Sequence, residues 1–168
     1  YEILRCLVGS EMCIRDRGFS LRRTVSDDII KSIGVINPMF HSFKTQEERR
    51  ACGGSAFIEI QFCDIPLKTP AKNLAAGGHI QHWRNDSLYV HADDIDAFYQ
   101  EYSRIFDCGT YNNMKTGVFD LYGINYYAPA LIDPISEKLN KEKPEEYEAL
   151  AAWLSQAKAH NGFYIFGI

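Results

Sequence analysis

Ser87-Leu88-Tyr89-Val90-His91-Ala92-Asp93-Asp94-Ile95-Asp96-Ala97-Phe98-Tyr99-Gln100-Glu101-Tyr102 reads as a strand running straight into a helix. Ser87 to Ala92 alternates and carries a β-branched residue and an aromatic. Asp93, Asp94 and Asp96 load a helix start with acid, where open amide donors and the positive dipole end favour it. Ile95, Phe98, Tyr99, Tyr102 and Phe106 then recur at helical spacing, which predicts one apolar face. A strand feeding a helix, among further strands, predicts an α+β domain: a mixed or antiparallel curved sheet with flanking helices.

Upstream, Ser55 to Cys63 reads as a strand, with Phe57, Glu59 and Gln61 on one face and Ile58, Ile60 and Phe62 on the other. Thr45-Gln46-Glu47-Glu48 is a capping box that opens a helix stopping at Gly53-Gly54. Ser26-Asp27-Asp28 caps a short helix carrying Ile29, Ile30 and Ile33. Asp64 to Asn85 is rich in loop signals, and a loop of that length inside a domain is often functional. Downstream, Val118 to Leu121 and Ile124 to Tyr127 read as strands broken at Gly123. Ala130 to Asn140 reads as a helix. Pro144 opens another, with Tyr147, Leu150, Ala151, Leu154 and Ala157 on its face. Phe163 to Ile168 closes the chain as a strand.

Tyr1 to Arg17 stands apart. Its segment EMCIRDR resembles translated sequencing-adapter DNA, and such a segment is set aside from the fold as a fusion scar would be. The domain is then expected over residues 18–168, and the natural start of the fold could be missing.

Composition narrows the function classes. The 168 residues suit one domain, and 46% hydrophobic with 13% aromatic content supplies a core. Net charge is −4 with no basic stripe, which argues against nucleic acid as a partner. No apolar run reaches membrane-spanning length, so no membrane partner is expected. The cysteines (Cys6, Cys13, Cys52, Cys63 and Cys108) are odd in number and fit neither a disulfide framework nor a zinc site. A reduced, cytoplasmic protein is expected.

Few residues carry chemistry. His79-x-x-His82 with His91 offers metal-ligand types, but in a loop this spacing fixes no geometry, and solvated histidines explain it as well. Cys108 with His91 or His160 lacks a nucleophile motif. Gly53-Gly54 and Gly77-Gly78 lack the lysine and hydroxyl residue of a phosphate loop. No catalytic residue, metal or cofactor is therefore assigned. Trp83-Arg84-Asn85-Asp86 is more promising: Trp83 offers a stacking face and Arg84 a fork for carboxylate or phosphate. The alternative is an ordinary turn with an Arg–Asp surface pair. Tyr122, Tyr126 and Tyr127 suit a pocket lining or a core.

The segment SLYVHADDIDAFYQEY resembles the second-module strand and helix of the glyoxalase/bleomycin-resistance (vicinal oxygen chelate) superfamily. Tyr122-Gly123-Ile124-Asn125-Tyr126-Tyr127 and Asn161-Gly162-Phe163-Tyr164-Ile165-Phe166-Gly167 resemble later strands of that module, and Phe57 to Phe62 the last strand of the preceding one. The resemblance implies one and a half strand–helix–three-strand modules, with residues 130–160 replacing a tight turn. It places Ser87 and Phe166 where metal-dependent members carry histidine and glutamate, and neither residue ligates a divalent ion. It therefore implies a metal-free, non-catalytic protein that sequesters a small molecule in a cavity lined by Tyr89, His91, Tyr127 and Phe166, compatible with a homodimer. The rival expectation is a bacterial protein-interaction domain, such as a toxin immunity protein, with an exposed acidic or aromatic patch.

Overall fold

A computed structural model describes residues 38–53, 56–78 and 80–168. The adapter-like segment, Cys6, Cys13, the helix expected around Ile29–Ile33, and His79 with its HxxH spacing lie outside the described residues. Helix α1 spans Gln46–Ala51 and strand β1 Phe57–Phe62. Helix α2 is Ala71–Ala75, strand β2 Leu88–His91 and helix α3 Ile95–Tyr102. Strands β3 (Gly109–Thr110), β4 (Thr116–Gly117) and β5 (Ile124–Tyr127) follow. Helices α4 (Ile132–Glu142) and α5 (Tyr147–Ala157) precede the last strand, β6 (Phe163–Phe166).

The described strands form one open antiparallel sheet of six, in the order β2-β1-β6-β5-β3-β4. The fold is α+β, as the alternation of strand and helix signals predicts. β1 pairs Glu59 with Tyr89 on one side and with Phe166 on the other. β6 in turn pairs Tyr126 with Tyr164 on β5. β2 and β5 are thus separated by β1 and β6. A further bridge joins His41 to Tyr89 at the outer edge of β2.

Each strand divides its side chains between two faces, because its period is two. Ile58, Ile60, Phe62, Val90, Tyr127, Phe163 and Ile165 point to the main core, where α3, α4 and α5 pack. Phe98 and Tyr102 of α3, Ile135 and Leu139 of α4, and Leu150 and Leu154 of α5 are wholly buried there. The other face carries Phe57, Glu59, Gln61, Tyr89, Tyr126, Tyr164 and Phe166. Loops and α1 and α2 cover it, so β1 is buried along its whole length.

Several local expectations shift. Asp93, Asp94 and Asp96 do not cap the helix with their side chains. The chain makes a 3-10 turn at Ala92–Asp94, and the His91 ring accepts the Asp93 amide. The residue carrying that turn's cap lies before the acids, because extended backbone ends at His91. α3 stops at Tyr102, short of Phe106 where the helical spacing extends, and irregular turns follow. Tyr99 is 40% exposed and leaves the apolar face, while Phe106 stays in the core. Val118 to Leu121 is not a strand. Phe119 is instead drawn under α3, its ring 5.1 Å from Phe98, and the ladder forms earlier at Thr116–Gly117. The cap of α1 keeps the first half of the expected box, in which Thr45 Oγ1 accepts the Glu48 amide, while the Glu48 carboxylate accepts the amide of Lys44, one residue before the cap. Gly162 adopts φ +82°, and a Cβ there would run into the Tyr127 carbonyl, so glycine is required at that turn.

Candidate functional site

The second face of the sheet holds a carboxylate where an apolar side chain would be expected. Glu59 lies mid-way along β1 and is 2% exposed. Period two sends it away from α3, α4 and α5, to the face beneath the loop at residues 81–87. Burying a charge is costly unless donors surround it, and here they do. Glu59 accepts the backbone amides of Trp83 (2.9 Å) and Arg84 (3.1 Å). It also accepts the Ser87 hydroxyl at 2.8 Å, the Tyr89 hydroxyl at 3.2 Å and the Gln61 side-chain amide at 3.2 Å. His82 stands 3.8 Å away. Burial and the neighbouring Glu59 charge push the Tyr89 phenol well above its usual range.

Two consecutive amides aimed at one carboxylate bend the backbone. Trp83 takes φ +68°, a left-handed conformation that is a real outlier for a bulky side chain. Such conformations cost about 1–3 kcal/mol and persist only where the surroundings hold them. The result is that Trp83 is turned out over the sheet. The Arg49 guanidinium carbon lies 3.6 Å from its ring centroid, and the Tyr89 ring lies nearly parallel to it, 6.2 Å away. Arg49 is 6% exposed and donates to the Gln46 side chain.

Beside this stack opens a cleft of about 280 Å³. Phe43, Trp83 and Tyr89 form its aromatic wall, and the basic residues Lys44, Arg49 and Arg84 also line it. Thr45, Gln46 and Asn85 add polar groups at the rim. The volume lies near the lower end of small-molecule sites, about 300–1,000 Å³.

The expected site residues divide between several places. Trp83, Arg84 and Tyr89 meet at the cleft. The Arg84 fork is already engaged: Nε and one terminal nitrogen donate to Asp86, and the other terminal nitrogen donates to Asp64. The Arg–Asp pair that was the alternative at this turn is therefore present. His91 is on the same face but serves as the cap described above. Its ring packs edge-on against Phe57 at 5.1 Å. Phe166 also shares the face, yet it is buried against Tyr164 and His82. Tyr127 goes to the opposite face, fully buried, with its hydroxyl on the Phe106 carbonyl. The structure does not bring Tyr127 together with Tyr89 and His91, because the register pairs Tyr127 with Phe163 and Phe163 with Phe62, whereas Tyr89 and His91 pair with Glu59 and Phe57 on the other face. Ser87 holds Glu59.

Sequence reasoning passed over Glu59, Arg49 and Phe43. A signal for Glu59 was present: one acid inside the otherwise apolar run Phe57-Ile58-Glu59-Ile60. Arg49 had none, because its place depends on how α1 sits on the sheet. Among the described residues, no group of three or more His, Cys, Asp or Glu is placed to hold a metal ion. None of the described helices is long and apolar enough to cross a membrane. No protein-family model, curated protein or solved structure matches this chain.

Proposed function

We propose that this protein binds a small molecule in the cleft beside Trp83, without transforming it. The observation that supports this best is the strained Trp83 held over the cleft by a buried carboxylate. Maintaining a left-handed bulky residue and a desolvated Glu59 costs stability, and a fold that needed only a closed loop would reach one more cheaply. Strain of this kind gathers at ligand sites, where it presents a side chain already ordered for contact. The sequestering role implied by the resemblance to the glyoxalase/bleomycin-resistance superfamily agrees with such a site, although the cleft suits a fragment-sized ligand rather than a large antibiotic.

The exposed apolar side chains give the protein-interaction reading less support. Leu67, Tyr99, Met114 and Tyr122 come from separate loops and from α3, and singly exposed apolar residues are ordinary. The free thiols Cys52, Cys63 and Cys108 suit a reducing, cytoplasmic setting.

The test is a fragment screen read by the two indole N–H resonances. A ligand in the cleft shifts the Trp83 signal and leaves Trp153, which donates to the Asp86 carbonyl, in place. Hits that move neither, or that persist unchanged in Trp83→Ala, would remove the basis for this reading.

A further inference from the structure

The two sides of the cleft are built differently. Trp83, Arg84 and Asn85 belong to the loop that Glu59 holds, and Tyr89 belongs to β2. Phe43, Lys44, Thr45, Gln46 and Arg49 come from one continuous run that lies outside the sheet. That run leaves a fixed point. The Met39 and Phe40 amides donate to the Glu146 carboxylate at 3.0 and 3.2 Å, and the Phe40 ring packs on Phe98 and Tyr102. The run reaches Gly53, whose φ of +124° is a conformation that residues with a Cβ rarely adopt. Between these points residues 44–48 and 50–53 are exposed, while Phe43 and Arg49 are buried. Phe43 packs on Tyr89 and Phe57, with ring centroids 5.2 and 5.5 Å apart, and the Arg49 guanidinium lies over Trp83. A largely exposed segment with an anchored start and a glycine at its end is suited to open locally, without unfolding of the domain.

His41 stands at the anchored end. Its backbone exchanges two hydrogen bonds with Tyr89, at 2.8 and 2.9 Å. Its half-buried ring lies parallel to Phe43 at 6.0 Å and edge-on to Phe57 at 6.4 Å. Three charged or titratable groups face it: Asp94 from the turn after β2, His91 from β2 and Glu146 from the start of α5. The two carboxylates favour a charged ring. Burial and His91 outweigh them and hold the pKa below 6.5. A ring released into water regains its ordinary affinity for a proton, so acid favours the displaced run.

We propose, resting on the small-molecule reading above, that residues 41–53 form a flap whose closed position completes the cleft, and that a proton on His41 lifts it. The protein then holds its ligand at neutral pH and releases it in acid. Lifting takes Phe43 from Tyr89 and Arg49 from Trp83, which removes one wall. Linkage to a single proton with a reference value of 6.5 sets the ceiling. Between about pH 7.5 and about pH 5.5 the closed state loses at most about tenfold against the open one.

The experiment has two arms, each run on the full chain at about pH 7.5 and about pH 5.5, with wild type and His41→Gln. The first measures amide-exchange protection factors at the bridge, positions 41 and 89, and at Ile60 and Ile165, paired at the centre of the sheet. In wild type the bridge amides should be less protected than the central ones and should lose up to about tenfold in acid. His41→Gln should keep its bridge protection at both pH values. Bridge amides protected as strongly as the central ones, or an equal acid loss in the two chains, overturns the flap. The second arm titrates 2-naphthamide, whose charge is constant over this range, and follows the Trp83 indole resonance. Its affinity should fall by up to about tenfold in acid with wild type and stay level with His41→Gln. A wild-type affinity that ignores pH overturns the release while small-molecule binding stands. No Trp83 shift at either pH counts against the small-molecule reading and overturns the release with it, and the exchange arm then decides the flap by itself. His41→Asn repeats both arms, so the outcome does not rest on how one variant folds.

Discussion

At the scale of single residues, Glu59 shows how one side chain fixes a loop. Its carboxylate collects donors from Gln61, Trp83, Arg84, Ser87 and Tyr89. Removing it leaves several buried donors without an acceptor, and each such loss costs about 1–3 kcal/mol. Glu59→Ala should therefore destabilise the protein by about 3 kcal/mol or more, and Glu59→Gln by less, because one acceptor oxygen remains. Urea unfolding measures both, and equal effects from the two substitutions would show that the carboxylate is not the anchor. His41 offers a second case. Burial lowers its pKa from 6.5; Asp94 and Glu146 oppose that shift and His91 adds to it. The folded state thus binds its proton less readily than the unfolded chain does. The stability held in neutral His41 is whole above 6.5 and declines as pH falls below it. His41→Gln keeps the backbone bridge to Tyr89 and removes the titration. Its urea midpoint should change less than the wild type's between about pH 7.5 and pH 5.5. A larger change in the variant would reverse that assignment.

At the scale of elements, α3 shows where periodicity succeeds and where it overreaches. Phe98 and Tyr102 stand one turn apart and are fully buried, with rings 5.1 Å apart. Tyr99 belongs to the same apolar pattern by spacing, but lies at the border of the stripe and packs only edge-on against Phe119 at 5.3 Å. Spacing marks a face and not its width, which depends on what packs against it. Phe98→Ala should cost about 3–5 kcal/mol as a core truncation. Tyr99→Ala should cost less than about 1 kcal/mol as a surface change. Chemical denaturation of the pair ranks them, and comparable losses would place Tyr99 in the core after all. The capping box at Thr45 was legible because a cap is made by residues adjacent in sequence. The short ladder of β3 and β4 was not, since each strand has two residues and no periodic signal of its own.

At the scale of the whole molecule, distant loops are tied together outside the sheet. Asp64 follows β1, Arg84 precedes β2 and His160 precedes β6. Asp64 accepts from Arg84, and its other oxygen is 2.5 Å from the His160 ring. Burial alone would raise the Asp64 pKa, but the hydrogen bonds from Arg84 and His160 outweigh it and bring it below 3.8. A depressed carboxylate pKa gives stability that is present above the unfolded value and lost as pH falls through the folded one. Asp64→Asn should therefore weaken the protein slightly near neutrality and flatten its acid unfolding below about pH 4. The group is about half exposed, so the loss should stay under about 1 kcal/mol. An acid unfolding curve unchanged by the substitution would show that the tie contributes nothing. His160 also closes a stack, with Phe62 lying between it (4.4 Å) and Trp153 (4.1 Å). No local pattern announces this assembly, because its three rings come from β1, α5 and the turn after α5.

The sequence by itself determined the α+β class, the faces of β1, the cap of α1, and the strand-into-helix unit at 87–102. Those features rest on hydrophobic period and on capping between near neighbours, both written in consecutive residues. It also pointed to Trp83, Arg84 and Tyr89, which do meet at one cleft. Only the tertiary structure decided that Tyr127 belongs to the helix-packed face, that Arg84 is held by two aspartates, and that Glu59 and Arg49 shape the cleft wall. Each of those depends on which strands are neighbours and which loop crosses which face. Strand order is set by contacts between residues far apart in the chain, and no local period encodes them.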